Sequence, residues 1–346
     1  MADKRTGRRL KFERKADKIP KTLEELFQVF YDAKVSEGVS KRTLETYREN
    51  FRFLCEYLDR LQLSHDVANV DTELLRSYQS WMLNAKLRFD GHDHKSEKEK
   101  TVGLSPVTVN TRTKNLRTMF RFLRTEGLIE VDPWEHVRKV EEPETEIKVL
   151  SIDQLQKLLQ APNQRSYAWF RDFVLMNVLI DGFMRINEAV SLQIGDIDFD
   201  LEMVSLRAEV TKTKRSRMVP LQRSTMKLLK ELIIESEEFG SDYVFLTNYG
   251  EPLTANQYRH RLKEHSKIAG VSVRVHPHLF RHTAATIFLE QGGEVRHLAK
   301  ILGHADLRMV MRYTHLSNKS IKSQHERFSP LNAVVGKLQK ERKTMK

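Results

Sequence analysis

The stretch His276–Ser317, HPHLFRHTAATIFLEQGGEVRHLAKILGHADLRMVMRYTHLS, decides how the rest of the chain is read. Its apolar residues recur at helical spacing: Ala284, Ile287, Phe288 and Leu289 form one buried face, and Val295, Leu298, Ala299 and Leu302 form the next. His278, Arg281, His304 and Tyr313 are therefore carried on short packed helices. Leu302-Gly303 precedes His304, and a glycine there ends one helix with a sharp turn. Asp306 is placed to cap the helix that carries Tyr313.

The chemistry these residue types suit is attack of a phenol on a phosphodiester. Charge builds on the non-bridging oxygens in such a reaction, and the planar fork of Arg281 can grip two of them. His278 lies one turn before Arg281 on the same face and titrates near neutral pH. A metal centre is the competing use of His276, His278, His282, His297, His304 and His315. Their spacing fits no compact zinc pattern, and Cys55 is the chain's one cysteine. A tyrosine on an amphipathic helix is, by itself, more often a packing residue than a nucleophile.

His-x-x-Arg, then Leu-Gly-His, then Tyr313 nine positions after His304 resembles the C-terminal active-site signature of the tyrosine recombinases, the phage integrase and Xer/Cre-like DNA strand-exchange enzymes. Upstream, Arg185-x-x-Glu188-Ala-x-x-Leu followed by Asp196-Ile197-Asp198 is similar to the family's first arginine motif. By that resemblance Arg185 is a second guanidinium on the scissile phosphate, and Glu188 is an architectural support. The pair read alone is an ordinary helix-face salt bridge. One departure is visible, since the family commonly has Gly-x-Arg where this chain has Gly182-Phe183-Met184-Arg185.

Met203–Leu206 and Arg217–Leu221 read as short strands around TKTKRS, a hairpin tip crowded with Lys212, Lys214 and Arg215. A basic tip of this kind suits a DNA groove. The resemblance gives a hairpin lysine the role of protonating the departing 5′ oxygen. Counting back from Arg217-x-Val219-Pro220 favours Lys212, with Lys214 as its rival because threonines stand where the family has glycines. Further strand-like character lies at DYVFLT (242–247), and Thr254 to Ile268 reads as a helix.

Taken in order, residues 1–20 read as a flexible basic arm and 21–138 as a helical core-DNA-binding domain. Residues 139–150 form a linker, 151–317 the catalytic domain, and 318–346 a tail with enough apolar residues for a helix. The resemblance implies that this helix is passed to a neighbouring subunit, although a helix docked on its own domain would use the same residues. The fold class expected is mainly α with a small β-sheet: a helical core-binding domain and a mixed α+β catalytic domain. In the first domain, helices run from Leu23, from Ser40, over roughly 72–87, and from Ser105-Pro106 with Lys114, Arg117, Arg121 and Arg124 on the outer face. Its stretches SKRTLETYRENFRFLCEYL and LSPVTVNTRTKNLRTMFRFL match the family's core-binding domain, which points to Lys41, Arg42, Thr43, Thr111 and Arg112 as DNA contacts. The polar loop 88–103 exceeds what a minimal member carries, and it receives no role from the sequence.

A formal charge of +12 over 346 residues favours a polyanionic partner. No apolar run reaches membrane-spanning length and no signal-peptide core opens the chain, so a cytoplasmic, nucleoid-associated protein is expected. The resemblance implies a site-specific DNA recombinase or integrase working through a 3′-phosphotyrosyl bond without metal or cofactor. Its partners would be a double-stranded DNA recombination site, a homo-tetramer on DNA with a monomer or weak oligomer when free, no membrane, and accessory DNA-bending or directionality proteins. Two rivals share parts of this pattern: a type IB topoisomerase-like relaxing enzyme and a non-catalytic DNA-binding regulator.

Overall fold

Thr22 and Glu25 start the first helix by capping each other: the threonine hydroxyl accepts from the Glu25 amide while the Glu25 carboxylate accepts from the Thr22 amide. That reciprocal cap fixes α1 at Leu23–Ser36. Ser40, Asp71 and Ser105 do the same work by side-chain acceptance for α2 (Lys41–Arg60), α3 (Thr72–Asn84) and α4 (Pro106–Thr125). The computed structural model describes residues 22–89, 100–143, 148–304, 306–311, 313, 322 and 325–332. The basic arm, most of the 88–103 loop, the middle of the linker and most of the tail lie outside these.

The chain divides into two compact units, Met1–Glu144 and Thr145–Lys346. In the first, the four helices bury Leu26, Phe27, Phe30, Phe51, Leu54, Tyr78, Met119 and Phe120 in one core, with Phe27 stacked on Phe51 at 4.2 Å. Arg117, expected on the outer face of α4, turns inward. It donates to the carbonyls of Trp134 at 3.1 Å and Val137 at 2.7 Å, holding the segment that follows α4 against the bundle. Asn110 extends the hold by pairing both ways with the backbone of Val140. Helix α3 stops at Asn84, short of the expected 87, because residues 86–88 leave it to pair with 101–103.

The second unit runs α5 (Ile152–Gln160), α6 (Tyr167–Asp181), α7 (Ile186–Val190), then strands β1 (Ile197–Asp198), β2 (Met203–Leu206) and β3 (Arg217–Pro220). It continues with α8 (Arg223–Glu235), α9 (Ala255–Ile268), α10 (Pro277–Glu290), α11 (Val295–Leu302) and α12 (Arg308–Met311). The sheet is antiparallel in the order β1-β2-β3, with Val204 opposite Val219 and Leu206 opposite Arg217. Residues 242–247 form no strand. They are held by single bridges, Gln193 to Tyr243 and Leu246 to Pro252, while Val244, Phe245 and Leu246 are buried. The apolar run that suggested a strand is there to fill the core. Helix α6 is the axis of this unit, and its buried Asp172 is satisfied by Arg171, by Arg261 at 2.7 Å and by His265 at 2.9 Å, which ties it to α9. Among the described residues no helix is long and apolar enough to cross a membrane.

Candidate active site

The turn after α6 sets the first arginine. Gly182 ends the helix with an ordinary φ of −87°, and the left-handed step falls instead on Phe183, at φ +50°. Such a conformation costs a non-glycine residue about 1 kcal/mol. Here the Phe183 ring meets Phe288 edge to face at 5.8 Å, packed against the small core around Tyr313. This is where Gly-Phe-Met-Arg departs from the shorter pattern. The step leaves the Phe183 carbonyl as an acceptor for Arg281.

Arg185 opens α7 and is fixed through Glu188, which takes its backbone N–H and its guanidinium, both at 2.9 Å. Glu188 is 1% exposed and takes a second guanidinium as well, that of Arg217, at 3.1 and 2.6 Å. Burial alone would raise its pKa, but hydrogen bonds from Arg217 and Arg185 and their charge outweigh this and hold it below the usual carboxylate value.

Helix α11 delivers the rest. Arg217 Nε donates to the Ile301 carbonyl at 2.9 Å and Arg281 to the Leu302 carbonyl at 2.7 Å, so two cations meet the partial negative charge of one helix C-terminus. Gly303 then turns the chain at φ +67°, and a Cβ there would lie 3.1 Å from the Arg217 side chain. That turn brings His304 Nε2 to 3.3 Å from Arg281. Arginine can only donate, so His304 Nε2 is the accepting side of this contact.

Arg281 is 4% exposed, and burial, reinforced by the nearby charges of Arg185 and Arg217, pushes its pKa down to about 9. It stays protonated at neutral pH. Three guanidinium groups surround one carboxylate, so the cluster holds positive charge in excess, which an anion would neutralise. His278 faces solvent, yet partial loss of water around its ring, with His276, Arg281 and Arg185, holds its pKa below the ordinary value.

Tyr313 follows α12 and is 8% exposed, packed with Leu289, Leu298, Leu302 and Val310. Its hydroxyl lies 2.9 Å from His282 Nδ1. Asp306 caps the turn by accepting from the Arg308 amide at 2.8 Å. Lys212, Lys214 and Arg215 are exposed on the β2–β3 connection, with Lys214 at φ +51°. Thr211 is buried beneath them and knits the tip together through Ala208 and Arg215. In the first unit, Lys41, Arg42, Thr43 and Thr111 are exposed, whereas Arg112 is half-buried with its guanidinium 3.7 Å over the Phe53 ring.

Two residues entered the sequence reading without a role in this site. Arg217 was noted only as a landmark at the start of β3. His282 was counted among metal candidates, although it directly follows Arg281 and is the residue that engages the tyrosine.

Residues 148–320 match the phage integrase family, half of the chain, and residues 22–140 match the phage integrase SAM-like domain. The tyrosine recombinase XerD of Listeria innocua is 26% identical over 302 residues, covering 86% of this chain and 95% of its own length. The tyrosine recombinase XerC of Bacillus subtilis is 30% identical over 236 residues, covering 66% and 76%. In fold the chain is similar to the Tn1549 transposon integrase in complex with a circular intermediate DNA, at TM-score 0.68 and 20% identity, with 89% of this chain and 100% of that one aligned. A post-cleavage complex of the XerH recombinase on palindromic difH substrate gives TM-score 0.65 at 20% identity, covering 88% and 84%. An arginine-rich site at the junction of α7, β3 and α11, in a chain matched along nearly its whole described length, leads to one classification: the protein belongs to the phage integrase family of tyrosine recombinases.

Proposed function

We propose that Tyr313 is the nucleophile of a site-specific DNA recombinase of the integrating or resolving kind. Its oxygen attacks the scissile phosphate in line, forming a 3′-phosphotyrosyl ester and releasing the 5′ oxygen as a hydroxyl. Arg185, Arg281 and His304 disperse the charge of the pentacoordinate state, Lys212 protonates the leaving oxygen, and His278 assists with proton movement. Glu188 touches no substrate in this scheme and holds Arg185 and Arg217 in place. The ester conserves the bond energy, so rejoining to a second 5′ hydroxyl needs no nucleotide. The observation that carries this reading is the buried excess of guanidinium charge around Glu188, with Arg281 and His304 in contact.

Within this reading, Lys41, Arg42, Thr43, Thr111 and Arg112 bind duplex DNA from the first unit, and Lys214 and Arg215 bind it from the hairpin tip. Four copies join two duplex sites. Relatives named recombinases and integrases favour strand exchange over a relaxing enzyme or a silent regulator.

The test is covalent capture from duplexes with a fixed nick and randomised flanks. A protein–DNA adduct stable to detergent, present for the wild type and absent for Tyr313→Phe, is expected, with duplex affinity changed less than about twofold. An adduct that survives Tyr313→Phe removes this tyrosine from the chemistry.

A further inference from the structure

Cys55 and Asp59 lie one turn apart on α2 and so share a face of that helix. Glu24, in the first turn of α1, reaches the same place, and so does His65, from the connection between α2 and α3. The backbone seats that connection against α1: Leu23 N–H donates to the His65 carbonyl at 2.8 Å, and Thr22 bridges Asp66. Three segments of the first unit thus deliver a sulfur, an imidazole and carboxylate oxygens to one point.

One donor atom each from Glu24, Cys55 and His65 lies within 4.8 Å of the other two. Cys55 Sγ is 4.0 Å from Glu24 Oε1, which is also in contact with His65 Nδ1. A tetrahedral ion with bonds of about 2.0–2.3 Å spaces its ligands about 3–4 Å apart, so small side-chain adjustments bring all three onto one ion. The second imidazole nitrogen, Nε2, lies 3.0 Å from Asp59 Oδ1. A carboxylate on the far nitrogen is the arrangement that orients a metal-bound histidine and fixes its tautomer. It is supplied here by a residue outside the three donors.

The charge around these donors is unbalanced. Among the described residues, His65 is the cation within ion-pair distance of Glu24 or Asp59. The next carboxylate on α2, Glu56, is met by Arg52 at 3.3 Å and by Lys86 at 3.6 Å. Burial, followed by the charges of Glu24 and Asp59, pushes the Cys55 thiol up to about 12. A divalent cation offsets both carboxylates and takes the place of the thiol proton. Ligand type selects among cations: Mg²⁺ and Ca²⁺ take oxygen ligands, whereas one thiolate, one imidazole and one carboxylate suit Zn²⁺. Glu24 and Asp59 are exposed and Cys55 and His65 half-buried, so an ion has a path in.

We propose that Cys55, His65 and Glu24 bind a Zn²⁺-class cation through Sγ, Nδ1 and a carboxylate oxygen, with water completing the tetrahedron and Asp59 positioning the imidazole. Binding sends the proton of Sγ and the proton of the Nδ1–Glu24 contact to solvent. It cross-links the start of α1 to the end of α2 and to the chain beyond it. The site belongs to the first unit and is independent of the reaction assigned to Tyr313.

The test uses the full chain, stripped of metal by a chelator and titrated with Zn²⁺ or with Co²⁺ as its spectroscopic stand-in. A single Zn²⁺ per chain is expected, with Kd about 1 μM or tighter. Co²⁺ should show the intense visible bands of a tetrahedral site together with thiolate-to-metal charge transfer, and Cys55→Ala should abolish the charge transfer. His65→Gln and Glu24→Gln should weaken Zn²⁺ binding at least tenfold, and Asp59→Asn, which touches no metal, about 10–100-fold. Glu24 and Asp59 are exposed, so their variants keep the core and test the site even where Cys55→Ala perturbs it. His297→Gln removes an exposed histidine paired with Glu294 and should leave binding unchanged. Zn²⁺ affinity that survives Cys55→Ala, or that falls as much in His297→Gln as in His65→Gln, overturns the proposal. So does a faint octahedral Co²⁺ spectrum without charge transfer, or the absence of binding at about 100 μM Zn²⁺.

Discussion

Glu188→Gln is the most informative single change in this molecule. The carboxylate is 1% exposed and accepts four hydrogen bonds, two from Arg185 and two from Arg217. Glutamine keeps the shape and one accepting oxygen but loses the charge, leaving buried guanidinium groups that already repel one another with nothing to offset them. Removing one partner of a buried ion pair costs about 3–5 kcal/mol; the retained oxygen places this variant at the low end, about 3 kcal/mol. Hydrogen exchange of the slowest amides of α6, among them Val174, Leu175 and Val178, reads the stability of this unit directly. Combined with Arg217→Met, the two changes should cost about 2 kcal/mol less than their sum, because each removes the partner the other strands. The pH dependence has a fixed sign. Glu188 titrates lower in the folded protein than its ordinary value of 4.5, so its contribution is complete above that pH and is lost as pH falls through the depressed value. Glu188→Gln should lack this acid-side loss. A change below about 1 kcal/mol at pH 7, or an unaltered acid profile, would refute the account of Glu188 as the keystone of the arginine cluster.

Arg281→Lys keeps a cation but cannot reach Phe183, Leu302 and His304 together, and adduct formation should fall by about 10²–10³-fold; near-normal rates would show that the fork is dispensable. Phe183→Gly relieves about 1 kcal/mol of left-handed strain but deletes a half-buried ring against Phe288. Since truncating a buried phenylalanine costs about 3–5 kcal/mol, net destabilisation of roughly 2 kcal/mol is expected in thermal unfolding, and a stabilised variant would show strain to dominate. His278 has a depressed pKa, so its neutral form favours folding above its ordinary value of 6.5, and that contribution declines as pH falls below it. His278→Gln should flatten the decline of stability below pH 6.5 in the same measurement, and a profile identical to wild type would contradict this.

The sequence was most legible where backbone geometry and residue type reinforce each other. Ser40, Ser105-Pro106 and Thr254 announced helix starts, and the LGH run announced a glycine turn that the structure places at φ +67°. It was least legible where apolar content outweighed hydrogen bonding. DYVFLT looks like a strand because Val244, Phe245 and Leu246 must be buried, and only tertiary packing reveals that they pair by isolated bridges. Arg117 looked like a solvated surface charge, since nothing local shows that the carbonyls of Trp134 and Val137 will return to meet it. In the candidate site, Arg281, His304 and Tyr313 could be named through the family resemblance that their motifs carry. Arg217 could not, because its partners Glu188 and Ile301 are distant in sequence and meet it only through the β2–β3 hairpin.

Three of the acceptors that orient the guanidinium groups, at Phe183, Ile301 and Leu302, are peptide oxygens. Replacing a side chain at those positions leaves the oxygen in place, so the guanidinium orientation is buffered against drift there. Chain path is the vulnerability: an insertion or deletion near 183 or 301 would misalign the site more severely than most point changes among its neighbours.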